Sequence, residues 1–138
     1  MRTKVRCDRS AAAAVRGSIR DLDHFGWLAP DAMLVASELV TNVVTHMGCD
    51  PSHRLELEVT ESREAVCISV RDADESRTPS PRPSSLELGG ALGLVIVDAL
   101  ARQWGTSRDR GYHVWAELAK RSMAGMERST TFRSLPGG

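Results

Sequence analysis

The sequence predicts an α+β domain: a two-layer sandwich with about three helices on one face of a mixed, mostly antiparallel four- to five-stranded sheet. Two kinds of pattern and one length carry that expectation. Apolar residues recur at helical spacing in stretches beginning near residues 11, 31 and 94, and they alternate with polar residues in 55–60, 66–71 and 112–118. At 138 residues the chain has room for one domain with a single core. That domain is expected to span residues 1–120. Residues 121–138 lack periodicity, end in Pro136, Gly137 and Gly138, and read as a disordered tail.

Thr3 to Asp8 reads as a short first strand with Val5 and Cys7 on one side. Ser10 is a candidate N-cap for a helix over about 11–24, in which Ala11, Val15, Ser18, Ile19 and Leu22 recur at helical spacing and Gly17 weakens the middle. After an apolar turn at Phe25, Gly26, Trp27 and Leu28 comes the central helix, expected over about 31–47. Pro30 and Asp31 suit its first turn and Gly48 its end. In LVASELVTNVVTHM, residues 34–47, polar pairs Ser37/Glu38, Thr41/Asn42 and Thr45/His46 interrupt an apolar half, the mark of an amphipathic helix with a wide buried face. Its many β-branched residues lower helix propensity, so packing must hold it.

Leu55, Leu57 and Val59 alternate with Glu56, Glu58 and Thr60, and after ESRE the pattern resumes with Val66, Ile68 and Val70. This is an antiparallel hairpin with one buried face. From Glu75 to Leu88 three prolines among serines and arginines describe an extended loop, a candidate lid. Gly89, Gly90 and Gly93 lead into a third helix marked by Leu94, Val97, Leu100, Ala101 and Trp104 and closed by Gly105. Thr106 to Arg108 and Tyr112 to Leu118 complete a last hairpin, with Tyr112, Val114, Ala116 and Leu118 on one face.

Composition narrows the function classes. Lysine plus arginine equal aspartate plus glutamate at 18 each, so no global basic field argues for direct nucleic-acid binding. No apolar run approaches the roughly 18 residues a membrane span needs, and no signal-like segment opens the chain. Cys7, Cys49 and Cys67 are widely spaced and without a CxxC pair, which fits reduced thiols in a cytoplasmic protein. His24, His53 and His113 lack metal-ligand spacing.

Three separate pieces supply the parts of a nucleotide site. On a helical wheel Glu38, Asn42 and His46 lie along one border of the apolar half of the central helix, where side chains edge a cleft. The Asn42 amide oxygen suits a hard cation such as Mg²⁺, which prefers oxygen ligands at about 2.1 Å; otherwise it is an ordinary helix-edge amide. Glu38, one turn earlier and about 6 Å away along the axis, could polarise a hydroxyl next to phosphates, or be an exposed helix glutamate. Asp72 ends the strand VCISV, where a carboxylate can accept a hydrogen bond from an exocyclic amine such as adenine's, or cap a turn with Asp74. The glycines at 89, 90 and 93 stand at a helix start, where amide N–H groups and the helix dipole favour phosphate. No lysine follows them as in a Walker loop, and no strand enters the turn as in a dinucleotide fingerprint.

With these residues in view, the chain resembles the GHKL, or histidine-kinase-like, ATPases with the Bergerat fold, specifically the short anti-sigma-factor serine kinase branch of bacteria. ELVTNVVTH at 38–46 is similar to its N box, VRDAD at 70–74 to its first glycine-box region, and GGALGLVIVDALARQWG at 89–105 to its second; YHVWAEL at 112–118 resembles its last strand. The resemblance implies ATP and Mg²⁺ as cofactors, with Asn42 on the metal and Glu38 as the base toward an acceptor serine. It places nucleotide contacts on Asn42, His46, Asp72, Asp74, Gly89, Gly90, Ala91, Leu92, Gly93 and Leu94. It implies a sigma factor and an anti-anti-sigma antagonist protein as partners, with self-association as a homodimer left open. The chain departs from the branch in reading DADES at 72–76, where a glycine often follows the first aspartate, and in carrying Ala91 in the second box. A non-catalytic module, in which ATP only orders a lid and sets affinity for a partner, is the alternative reading.

Overall fold

Alternating side chains produce five strands among the described residues, and helical spacing produces three helices. The computed structural model describes residues 1–22, 26, 28–47, 52–73, 91–107 and 112–120. In chain order the elements are β1 (Arg2–Arg6), α1 (Ala11–Arg20), α2 (Ala29–Met47), β2 (Arg54–Glu61), β3 (Ala65–Asp72), α3 (Ala91–Leu100), β4 (Gln103–Ser107) and β5 (His113–Ala119). The sheet order is β1-β2-β3-β5-β4, and every pair of neighbours is antiparallel. The expected two-layer α+β sandwich is what forms.

Register follows from the period of two. Leu57 stands opposite Val70, and Val70 opposite Val114. In the next row Val59, Ile68, Ala116 and Trp104 face one another across four strands. These residues make the sheet face that the helices cover, and α2 supplies Val35, Leu39 and Val43, all fully buried. Burying each such side chain is worth about 1.5–3 kcal/mol, which outweighs the few tenths that each β-branched residue of α2 costs in helix propensity. The opposite sheet face carries charge: Arg2 pairs with Glu58 and Arg102 with Glu117.

Several local expectations change. Helix α1 ends at Arg20, earlier than expected. Ser10 occupies its N-cap position without a capping side-chain bond. Its amide and hydroxyl both donate to the Asp8 carboxylate instead, which holds that carboxyl below its usual pKa. Helix α3 also stops early. Its last backbone bond runs from the Ala101 N–H to the Val97 carbonyl at 2.8 Å, and the next amide, Arg102, already donates to Glu117 of β5. Trp104 and Gly105 therefore belong to β4, not to the helix and its cap. A Cβ on Gly105 would lie 3.0 Å from the Trp115 ring, so this glycine is there for a close cross-strand approach. Cys7 is disulfide-bonded and Cys67 is free, which corrects the reading of three reduced thiols; spacing along the chain says nothing about distance in space. The Cys67 thiol is pushed above its ordinary pKa by burial, reinforced by Glu117 and Glu58, so it is not an activated thiolate. The expected lid at 75–88 and the tail at 121–138 lie outside the described residues.

Candidate functional site

The site is built where the C-terminal half of α2 crosses the ends of β3 and β5. The face of α2 that packs Val35, Leu39 and Val43 on the sheet draws its border residue Asn42 in with it, leaving that side chain 2% exposed. The Asn42 Nδ2 group donates to the Tyr112 hydroxyl at 2.8 Å. The amide's other end, Oδ1, is buried and has no hydrogen-bond partner among the described residues. A buried acceptor left this way costs about 1–3 kcal/mol, and native folds carry few of them.

That atom is a direct test of the expected metal. A neutral amide oxygen, held and unsatisfied, is the donor type a hard divalent cation takes. Among the described residues no group of three or more His, Cys, Asp or Glu side chains could cage a metal. Mg²⁺ needs no such cage, because it keeps waters and shares phosphate oxygens with its substrate. The residues present are therefore compatible with Mg²⁺ carried in with nucleotide, for which Asn42 would be the protein ligand.

Asp72 continues the helix-facing row of β3 after Val66, Ile68 and Val70, and it is 1% exposed. A turn cap facing water would not sit there. The Asp72 amide donates to the Tyr112 carbonyl at 3.3 Å, and the following amide, Ala73, donates to Arg54 at 3.0 Å. The last residue of β3 is thus fixed on both sides by sheet neighbours. A buried carboxylate at this rim is an acceptor for a ligand N–H, the chemistry an exocyclic amine needs.

Tyr112 joins the two residues: its hydroxyl meets Asn42 of α2 and its carbonyl meets Asp72 of β3. It is 3% exposed and immediately precedes β5. Alternation in the sequence puts Tyr112 on the core face of the last strand and assigns it no role. The signal was present, since a tyrosine on a buried face needs a partner for its hydroxyl, and this is the chain's single tyrosine.

Glu38 lies one turn before Asn42 on the same border of α2 and is half-buried, so it is still reachable from solvent. His46 lies in the last turn of α2, with its side chain outside the described residues. Asp74, Gly89 and Gly90 are also outside them. Ala91, Leu92 and Gly93 form the first turn of α3, and Leu94 follows half-buried. That first turn contains no acidic side chain, so the positive end of the helix dipole is not neutralised from within.

A shallow cleft of about 280 Å³ lined by Asp8, Arg9, Thr41, Val44 and Thr45 shares α2 with this site but none of its residues. No helix among the described residues is long and apolar enough to cross a membrane.

Comparison with known families agrees with the geometry. Residues 4–118 match the family described as histidine kinase-like ATPase domain. No curated protein matches the chain. The matched span runs from β1 into β5 and takes in Glu38, Asn42, Asp72, Tyr112 and the segment from Gly89 to Leu94. With residues 4–118 of its 138 matched, the chain belongs to the histidine kinase-like ATPase domain family.

Proposed function

We propose that the protein is an ATP- and Mg²⁺-dependent serine/threonine protein kinase of the anti-sigma-factor type, which binds a sigma factor and phosphorylates an antagonist protein. The observation that carries the reading is the pairing on one border of α2 of a buried, unsatisfied amide oxygen at Asn42 with a reachable carboxylate at Glu38. The similarity of ELVTNVVTH, VRDAD and GGALGLVIVDALARQWG to the boxes of the anti-sigma kinase branch supports the choice of acceptor and partners. The balanced charge of the chain supports protein partners over direct contact with nucleic acid.

Bound Mg-ATP supplies an electrophilic terminal phosphoryl group. The chain's residues do the rest. Asn42 would offer its oxygen to the metal, and Asp72 would accept the amine of the base and so select which nucleotide enters. The first turn of α3 presents backbone amides to phosphate oxygens. Glu38 takes the proton of the acceptor serine hydroxyl while the serine oxygen bonds to phosphorus and the bond to the ADP oxygen breaks.

Glu38→Gln tests this. It keeps the size of the side chain and removes the base, a loss of about 10²–10⁴ in transfer rate with little change in ground-state ATP binding. ATP affinity and phosphorylation of an antagonist serine are measured on the same preparations. Wild-type transfer by the variant would remove Glu38 from the mechanism. The second reading, a partner-switching module without transfer, is favoured by DADES and Ala91. It wins if the unaltered protein transfers nothing while ATP still changes its affinity for a partner.

A further inference from the structure

We propose that Tyr112 is a positioning residue for the metal ligand: its hydroxyl holds the Asn42 side chain in the one orientation that turns Oδ1 toward the bound cation. This rests on the reading of Asn42 as the protein ligand to Mg²⁺.

An asparagine amide has nearly the same shape in its two orientations, and the torsion that exchanges Oδ1 and Nδ2 is soft. Burial alone therefore does not decide which end faces a ligand. A tyrosine hydroxyl can accept from Nδ2 or donate to Oδ1, and only the first leaves the oxygen for a ligand; here the Tyr112 oxygen takes the Nδ2 hydrogen at 2.8 Å while Oδ1 has no partner among the described residues. Without that acceptor, Nδ2 would be a buried donor with no partner in the metal-binding orientation. The amide would then swing to seek another partner, and Oδ1 would move with it. Mg²⁺ demands near-ideal placement of its oxygens, so such movement weakens binding directly.

Tyr112 is suited to the task because it is itself fixed. It is 3% exposed, and its carbonyl accepts the Asp72 amide at 3.3 Å. The next residue, His113, is paired with Arg71 of β3 and Ser107 of β4. The hydroxyl is thus presented from the sheet, across from the helix that carries the ligand.

The test uses the full chain and Tyr112→Phe, which keeps the ring and removes only the hydroxyl. Calorimetric titrations with ATP are run in Mg²⁺ and in EDTA. Mg-ATP affinity is expected to fall about 10-fold or more, as for other residues that orient a metal ligand, while ATP affinity in EDTA stays within about twofold. In the Asn42→Ala background there is no amide to orient, so adding Tyr112→Phe should change Mg-ATP affinity by no more than about twofold; Asn42→Leu serves as the background if Asn42→Ala does not fold. Equal weakening of ATP with and without Mg²⁺ would make Tyr112 a purely structural residue and overturn the proposal. So would wild-type Mg-ATP affinity in Tyr112→Phe when Asn42→Ala has lost it. If Asn42→Ala itself keeps wild-type Mg-ATP affinity, the metal reading of Asn42 fails, and the proposal fails with it.

Discussion

Replacing both partners of the Asn42–Tyr112 hydrogen bond, as Asn42→Leu with Tyr112→Phe, should make the ligand-free protein more stable and the protein worse at its task. The magnitude follows from the atoms involved. Removing the 2.8 Å bond forfeits about 0.5–1.5 kcal/mol, and because both partners become apolar, neither half of the pair is left behind. Removing the buried, unsatisfied Oδ1 relieves a cost of about 1–3 kcal/mol. Leucine is close to asparagine in shape, and position 42 is 2% exposed among Val35, Leu39 and Val43 of the same helix face, so the new side chain stays in apolar surroundings. The net gain is about 1 kcal/mol, or roughly 4 °C in Tm for a domain of this size. Scanning calorimetry without nucleotide reads the gain. Titration with Mg-ATP should show at least a 10-fold loss of affinity, since no side-chain oxygen remains to meet the cation. A fall of several degrees in Tm would refute the reasoning, because it would mean that Oδ1 is satisfied in the free protein. A site that costs stability where it waits for its ligand is the expected trade between function and fold.

If the Asp72 carboxylate reads the base, Asp72→Asn should weaken ATP relative to GTP by about 1–3 kcal/mol in a competition assay, and an unchanged preference would remove that role. Gly17 lies inside α1, and a Cβ there meets nothing within 4 Å; Gly17→Ala should raise stability by about 0.5–1 kcal/mol in urea unfolding. The His113 imidazole is held below its ordinary pKa by burial and then by Arg71, with Glu58 opposing. The unfolded chain therefore takes up the proton first as pH falls, so stability should be full above about pH 6.5 and decline below it, and His113→Gln should flatten that decline in melts at several pH values.

Much of the fold was legible because the hydrophobic pattern and the structure share a period. The apolar half of LVASELVTNVVTHM set α2 within two residues of its observed start, and alternation set β2, β3 and β5 with their buried faces. The pattern misled where one set of residues satisfied two periods. Leu100, Ala101 and Trp104 fit a helical face, yet Trp104 reaches the same core from a strand and its indole N–H reaches back to Asp98 at 2.9 Å. A large side chain can fill one space from either backbone, so apolar spacing could not tell where α3 stops. The same spacing makes Gly105 look like a helix stop, although in the structure it admits the Trp115 ring.

The sequence by itself determined the kind of domain, the helix that carries Glu38 and Asn42 on one border, and the strand that ends in Asp72. Each of these depends on residues close together in the chain, where rotation per residue fixes which side chains share a face. Only the tertiary structure decided that Asn42 is almost wholly buried with one end unsatisfied, that Asp72 points under the helix layer, and that Tyr112 joins them. Asn42 and Tyr112 are 70 residues apart in sequence. No local periodicity relates them. They meet because α2 lies across the sheet at the point where β3 ends and β5 begins, and that crossing is set by the packing of the whole core.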